Sequence, residues 1–291
     1  MPMTDPPEDW RKVRRRVRRR GKLQRLRRWI ASPLLIAVIA ILAVLGLTVG
    51  VTAGLSSPGS SPACQKAFVP AYFPAADWPQ VLASKPAPSV MILNPATGVG
   101  AGSAPDPAFQ AAVRQARAAG AAVLGYSSTA DGQRPAAEIE ADIRNYKSWY
   151  GVTGIFLDSV NGVSSELPYY QQLASYAHSV IPGSSVWLNA GIYPDPRYMS
   201  VGNVLMVFEG TYDQYLNIQV PAWARDFPAT RFAHTIYGVT SGSQADSVIA
   251  LARSRNAGFV YVTNLSGANP YAALPSYWSS ANSAISAGCG R

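Results

Sequence analysis

The chain has 291 residues, of which 48% are hydrophobic and 10% aromatic, so the composition supports a sizeable buried core and excludes a disordered protein. The formal net charge is +9, but all of that excess lies in residues 1–28, which hold 12 basic and 3 acidic residues, whereas the rest of the chain holds 13 of each. A nucleic-acid-binding domain that is basic throughout is therefore excluded.

The first predicted elements are a basic tail over residues 1–28 and a transmembrane helix over residues 29–55. The segment Ile30–Leu55 is almost wholly apolar, and about 20 such residues cross a bilayer as a helix. Lys and Arg precede this segment and are absent after it until Lys66. The positive-inside rule then places the tail in the cytoplasm and the remaining chain outside the cell. The sequence therefore predicts a single-pass protein of the cell membrane that contacts lipid through residues 29–55.

Two alternatives to this anchor stay open. A cleaved signal peptide shares the order of basic, apolar and small residues, although 28 residues is long for its basic region. Ser61–Cys64 bears a weak likeness to a lipoprotein cleavage site. The arginine run itself is interpreted as a topology signal that attracts anionic lipid, and no nucleic-acid partner is predicted.

A turn-rich linker over residues 56–63 leads to one predicted folded domain over residues 64–291. Cys64 and Cys289 stand at the two ends of this domain. Outside the cell such a pair is predicted to form a disulfide, with two free thiols as the alternative. Oligomeric state is left open, because the balanced charge of the domain favours none.

Eight short apolar runs alternate with stretches that are compatible with helices. Continuous apolar runs are typical of parallel strands that are buried on both faces. The predicted strands are Ala67–Tyr72, Val90–Asn94, Ala122–Tyr126, Gly154–Asp158, Ser185–Asn189, Val204–Glu209, Phe232–Tyr237 and Phe259–Asn264. The predicted helices are Asp106–Ala119, Pro135–Tyr150, Leu167–Val180, Asp213–Phe227, Ser243–Asn256 and Pro270–Ala287. This order predicts an α/β fold of the (β/α)8 TIM-type barrel, with a doubly wound open sheet as the alternative.

Polar side chains end all eight predicted strands, where a barrel places its chemistry. They are Tyr72, Asn94, Tyr126, Asp158, Asn189, Glu209, Tyr237 and Asn264. Asp158 and Glu209 each follow apolar residues, and a pair of carboxylates can divide into a nucleophile or base and a general acid for glycosidic cleavage. Tyrosine rings suit stacking against sugars. A structural role for each side chain is the alternative.

Other reactive residue types give weaker signals. His234 lies inside a predicted strand, where a core histidine is favoured over a catalytic one, and His178 lies late in a predicted helix. The Gly-rich turn Asn94–Gly100 lacks the lysine of a phosphate-binding loop and is interpreted as a turn that lines a substrate site. Two Cys and two His leave little material for a metal cage, so neither a metal nor a cofactor is predicted.

In these motifs the domain resembles the spherulin-4 family, whose characterised relatives are glycoside hydrolases of family 135 on a (β/α)8 barrel. The matching stretches run in order from Val69 to Gly238: VPAYFP, NPATGVG, GYSST with Arg134, WY, GIFLD, LNAG and VFE. The resemblance implies a substrate of α-1,4-linked galactosamine or N-acetylgalactosamine. It implies Asp158 as the nucleophile, Glu209 as the acid/base, and a substrate contact for Arg134.

One residue departs from the family pattern. Characterised fungal members carry a second acid directly after the strand-4 aspartate, where this chain has Ser159. Because adjacent strand residues point to opposite faces, that acid is expected to support the loop or tune a neighbouring pKa. Two hypotheses follow: a cell-surface glycoside hydrolase, or a non-catalytic glycan-binding or envelope-organising module on the same barrel.

Overall fold

The computed structural model of the protein describes residues 64–99 and 104–289. The predicted tail (1–28), transmembrane helix (29–55) and linker (56–63) lie outside the described residues and stay predictions. Within the described ranges, no helix combines the length and the apolar character needed to cross a bilayer.

Eight parallel strands close into a barrel, in which each strand pairs with its neighbours in chain order and the last pairs with the first. They are β1 (Lys66–Ala71), β2 (Val90–Leu93), β3 (Ala122–Ser128), β4 (Gly154–Asp158), β5 (Ser185–Asn189), β6 (Val204–Thr211), β7 (Phe232–Tyr237) and β8 (Phe259–Val262). Nearly every strand residue is buried, as the continuous apolar runs require. The predicted barrel is confirmed, and the pairing of β1 with β8 excludes the open sheet.

The α-helices of the described residues connect the strands. They are α1 (Trp78–Leu82), α2 (Pro107–Ala118), α3 (Ala136–Asn145), α4 (Leu167–Val180), α5 (Tyr212–Leu216), α6 (Gly242–Ser254) and α7 (Trp278–Ser286). The longer helices are amphipathic: α2 buries Phe109, Ala112, Val113 and Ala116, which share one helical face. A single turn of π-helix, Tyr146–Tyr150, extends α3 to the end that the sequence predicts.

The prediction of one long helix over Asp213–Phe227 is wrong. Helix α5 ends at Leu216, and the chain resumes a helical turn only as the 3-10 segment Ala222–Asp226. Pro221 lies directly before that segment, and a proline removes the N–H that a continuing α-helix would need. The break leaves an irregular connection between β6 and β7.

The predicted helix Pro270–Ala287 is also too long. Helix α7 begins only at Trp278. Pro275 lies inside the predicted span, where its ring clashes with the preceding turn and its missing N–H breaks the ladder. The residues that precede Trp278 are therefore released from the helix and form a loop above β8.

Large side chains close the barrel beneath its C-terminal rim. Phe68 lies edge-on against Trp187, with ring centroids 5.4 Å apart. Phe156 stacks against Tyr126 at 6.2 Å. Asp158 follows Phe156 by two residues, so it shares the inward face at a higher level. The interior is packed, and the polar strand ends lie above it.

The predicted disulfide between Cys64 and Cys289 is confirmed, and it joins residues 225 positions apart. The start of the domain is also held by the Gln65 side-chain amide, which donates to the Ala257 carbonyl at 2.9 Å. The bridge therefore fastens the two ends of the barrel domain at a place where strand pairing already brings β1 beside β8.

Replacing both cysteines by serine is expected to lower the free energy of unfolding by about 2–5 kcal/mol, because the bridge constrains a very long loop of the unfolded chain. Thermal unfolding of the full chain with and without a reducing agent measures this effect. The double variant should match the reduced parent. An unchanged melting temperature after complete reduction would show that strand pairing alone holds the ends.

Candidate active site

Two carboxylates and one amide form the centre of the C-terminal rim. Asn189 Nδ2 donates one hydrogen bond to Asp158 Oδ1 at 2.6 Å and another to Glu209 Oε2 at 2.7 Å. Because both oxygens contact the same nitrogen, they lie at most about 5.3 Å apart, the sum of the two bond lengths. The Asn189 side-chain oxygen accepts from the Gly191 N–H at 3.0 Å, which fixes the orientation of the amide. The ends of β4, β5 and β6 thus converge on one site.

Asp158 is held as an acceptor by several donors. Its Oδ2 accepts from the Tyr126 hydroxyl at 2.8 Å and, at 3.4 Å, from the Ser159 hydroxyl. Burial raises the pKa of Asp158 above its ordinary value, and the hydrogen bonds from Tyr126, Asn189 and Ser159 oppose that rise because they stabilise the ionised form. The donors therefore limit the rise in the Asp158 pKa that burial causes.

Ser159 adopts a left-handed backbone conformation, with a φ of 55°. The Thr129 hydroxyl lies 2.9 Å from the Asp158 carbonyl and 2.8 Å from the Ser159 carbonyl, which fastens this turn. Strand alternation stops at Asp158, so Ser159 does not point to the opposite face, and its hydroxyl lowers the pKa of Asp158, which agrees with the tuning role expected of this position. The turn brings its hydroxyl back to the Asp158 carboxylate.

A β-bulge in β6 precedes Glu209. The pairing of β6 with β7 shifts between Met206 and Phe208, and Glu209 then lies opposite Thr235. A bulge of this kind reorients the side chains that follow it. The reoriented Glu209 carboxylate accepts from the Tyr271 hydroxyl at 2.7 Å as well as from Asn189.

Three tyrosine rings line the carboxylate pair. Tyr72 packs edge-on against Tyr126 at 5.4 Å and against Tyr271 at 5.5 Å. Burial, reinforced by the nearby carboxylates, raises the pKa of all three hydroxyls, so they remain protonated donors. The three rings form an aromatic wall, and two of its hydroxyls donate to the pair, that of Tyr126 to Asp158 and that of Tyr271 to Glu209.

Tyr271 is the site residue that the sequence prediction misses. The sequence predicts Tyr271 in an outer helix, but it lies in the loop between β8 and α7. Its N–H donates to Asn269 Oδ1 at 3.0 Å, in a turn at Asn269-Pro270. That dipeptide can open either a turn or a helix, and Pro275 is the residue that argues against a helix through this segment.

The other predicted substrate residues lie at the strand ends or in the following loops, outside the contacts of the pair. Asn94 Oδ1 accepts from the Gly98 N–H at 2.6 Å, and Asn264 Oδ1 accepts from the Ser276 N–H at 2.9 Å, so each shapes its own loop. Tyr237 ends β7 beside Thr211. Substrate contacts of Asn94, Tyr237 and Asn264 stay predictions.

Arg134 pairs with acids of α3, at 2.7 Å to Asp142 and 3.1 Å to Glu138. It also donates to the Ser127 hydroxyl at 3.0 Å, and Ser127 alternates with the inward-facing Tyr126. Its predicted substrate contact stays a prediction. In the described ranges, no group of three or more His, Cys, Asp or Glu side chains is placed to hold a metal ion.

His234 is buried beside α5, where its Nδ1 shares a hydrogen bond of 2.8 Å with the Tyr215 hydroxyl. This placement matches the favoured interpretation of a core histidine. Burial, reinforced by the positive charge of Arg255, lowers the pKa of His234 to about 3. The imidazole is therefore neutral in the folded protein at ordinary pH.

The free energy of unfolding is expected to fall as the pH drops from about 6.5 toward 3, because the unfolded chain then protonates His234 and the folded chain does not. By pH 5 this loss amounts to about 2 kcal/mol. Denaturant unfolding at pH 7.5 and 5 should show it in the parent and in His178→Gln, which keeps His234. His234→Phe should lose that part of the slope, and an identical slope in all three proteins would contradict the assignment.

Comparisons with known proteins agree with this architecture. The model of spherulation-specific family 4 matches residues 66–285. Spherulin-4 of Physarum polycephalum is 30% identical over 226 residues, which cover 74% of this chain and 68% of the relative. The crystal structure of Aspergillus clavatus Sph3 in complex with GalNAc superposes with a TM-score of 0.69 at 24% identity, covering 77% of this chain and 98% of that chain. That likeness shows a shared fold.

Proposed function

Since the chain belongs to spherulation-specific family 4, we propose that it is a glycoside hydrolase that cleaves an amino-sugar polysaccharide with Asp158 and Glu209. One observation carries this proposal: a single amide nitrogen of Asn189 binds both carboxylates, so their nearest oxygens are at most about 5.3 Å apart. Retaining glycosidases hold their carboxyl groups about 5–5.5 Å apart, whereas inverting enzymes need roughly 6.5–9.5 Å to admit a water molecule.

The retaining reaction assigns one role to each acid. Asp158 attacks the anomeric carbon while Glu209 protonates the departing glycosidic oxygen, which leaves a glycosyl ester on Asp158. Glu209 then removes a proton from water, the water oxygen bonds to the anomeric carbon, and the ester bond to Asp158 breaks. The donors Tyr126 and Asn189 support this assignment, because they stabilise the ionised Asp158 that the attack requires.

The proposed substrate is a polymer of α-1,4-linked galactosamine, acetylated or partly de-N-acetylated. The resemblance of the motifs supports this class, and the related Sph3 was crystallised with GalNAc. The tyrosine row adds a physical argument, because an aromatic ring buries the apolar C–H face of a sugar while its hydroxyl stays hydrogen-bonded. Tyr72 is half-buried and packs between the two tyrosines that bind the carboxylates.

A non-catalytic glycan-binding module is the second candidate. Ser159 favours it, because characterised fungal relatives have an acid at this position. Against it, neither Arg134 nor Arg197 is tied to the two carboxylates, because Arg134 pairs with Glu138 and Asp142, and Arg197 pairs with Asp195 at 2.9 Å. We favour catalysis.

The proposed setting is the outer surface of the cell membrane. Its support is the basic residues 1–28 and the apolar residues 29–55 of the sequence, together with the disulfide, which suits an oxidising compartment. Protease accessibility of the barrel on intact cells tests this placement, and a barrel that is degraded only after lysis would contradict it.

The activity is tested by incubating the purified full chain with acetylated and with de-N-acetylated galactosaminan and measuring new reducing ends. Release from either polymer by the parent supports the proposal. Binding to the polymer in a sedimentation assay without any release would instead identify the glycan-binding module.

A further inference from the structure

A polar cavity lies at the N-terminal end of the barrel, remote from the carboxylate pair. Its volume is about 240 Å³, and half of its six lining residues are arginines: Val220, Arg225, Arg253, Ser254, Arg255 and Asn256. The lining comes from the end of α6 and from the 3-10 segment before β7. Both segments run from a helix into the next strand, so they lie at the opposite barrel end from the rim that carries Asp158.

The walls of this cavity are held together by side-chain hydrogen bonds. Asn256 Nδ2 donates to the carbonyls of Ala224 and Phe227, at 2.8 and 2.9 Å, which ties α6 to the 3-10 segment. Arg255 donates to the Leu216 carbonyl at 3.0 Å and lies 4.7 Å from the ring centroid of Tyr215. The cavity is therefore preformed.

The three arginines carry more positive charge than their surroundings offset. Among the described residues none of them forms an ion pair, although Asp226 follows Arg225 in sequence. Arg253 and Arg255 donate to carbonyls at the C-terminal ends of α7 and α5. A helix end supplies only about half a negative charge, so three full charges are not balanced.

Some guanidinium N–H groups of the arginines that line the cavity have no hydrogen-bond acceptor among the described residues. A guanidinium has five N–H donors, yet Arg225 is exposed and makes no hydrogen bond to the described residues. Arg253 and Arg255 use part of their donor sets on carbonyls, Arg253 through Nη2 and Arg255 through both terminal nitrogens, so the free donors are mainly those of Arg225. The combination of unpaired charge and unused planar donors fits a tetrahedral oxyanion, which arginine binds through two parallel hydrogen bonds.

We propose that this cavity binds a phosphate group, either on a soluble phosphate or on the headgroup of an anionic lipid. Its position suits the second source, because the first described residues lie beside it. The Lys66 N–H donates to the Gly258 carbonyl at 2.8 Å, two residues after Asn256. An anionic lipid surface near the first described residues would contact Arg225, Arg253 and Arg255 together.

The test uses the full chain in a neutral detergent and follows its melting temperature at constant ionic strength. The probes are sodium phosphate, and micelles doped with either phosphatidylglycerol or phosphatidylcholine. Arg225→Gln removes the arginine without structural contacts, and Arg114→Gln, an exposed arginine of α2, is the matched control. The basic residues 1–28 are present in every variant, so only the difference made by Arg225 is informative.

Phosphate is expected to raise the melting temperature saturably, with an apparent Kd that weakens about tenfold in Arg225→Gln and changes less than about twofold in Arg114→Gln. A response of this kind to phosphatidylglycerol alone would identify the lipid headgroup as the source. No phosphate-specific shift with any probe would overturn the proposal. So would a phosphatidylglycerol response that survives unchanged in Arg225→Gln.

Discussion

Asp158→Asn and Glu209→Gln are each expected to lower kcat for polymer cleavage by about 10³-fold or more, because each removes one half of the carboxylate chemistry. Both replacements keep the shape of the side chain, so binding of the polymer should be retained. Asp246→Asn on α6 and Glu140→Gln on α3 are matched controls on outer helices and should keep full activity. Equal losses in the controls would point to misfolding instead of chemistry.

The activities of Asp158→Asn and Glu209→Gln should differ on a substrate with a better leaving group. On a nitrophenyl glycoside the leaving group is nitrophenolate, which needs no proton from an acid. Glu209→Gln should therefore recover activity in the first step on such a substrate. Asp158→Asn should stay inactive, because it lacks the nucleophile. Recovery by Asp158→Asn in place of Glu209→Gln would reverse the assigned roles while leaving the pair intact.

Asn189→Ala is expected to lower kcat by about 10- to 100-fold, because one amide positions both carboxylates. The substitution also removes a donor that lowers the pKa of Asp158. The pKa of Asp158 should therefore rise, and the acid limb of the pH–rate profile should move to higher pH. A purely structural role would lower activity without moving that limb.

Asn264→Ala provides the comparison for Asn189→Ala. Asn264 also follows a barrel strand, but its side chain accepts from Ser276 N–H and shapes its own loop. Asn264→Ala should leave the acid limb of the pH–rate profile in place. If both variants shift the profile equally, the amide bridge of Asn189 is not the cause.

Much of the site could be predicted because a parallel barrel brings its strand ends together. Asp158, Asn189 and Glu209 each end a predicted apolar run, and the structure brings all three into hydrogen-bonding contact. Closure of the barrel, more than any local motif, makes strand-end residues of β4, β5 and β6 neighbours. The continuous apolar runs were sufficient to predict that closure.

The sequence could not predict features that depend on strand registration and loop paths. The β-bulge before Glu209 arises from the pairing of β6 with β7, which no local pattern encodes. Tyr271 reaches Glu209 from a loop that resembles the start of a helix until Pro275 is considered. Arg134 lies in the connection that follows β3, yet its charge is satisfied by acids spaced along the adjacent helix α3.

If Asp158 and Glu209 form a retaining carboxylate pair, proton NMR of the first product will show that the anomeric configuration is kept. The full chain would be mixed with galactosaminan, and the configuration of the new anomeric centre would be recorded before mutarotation. We expect the α configuration to appear first and no detectable product from Asp158→Asn or Glu209→Gln. A β product, or cleavage that survives both substitutions, would contradict this expectation.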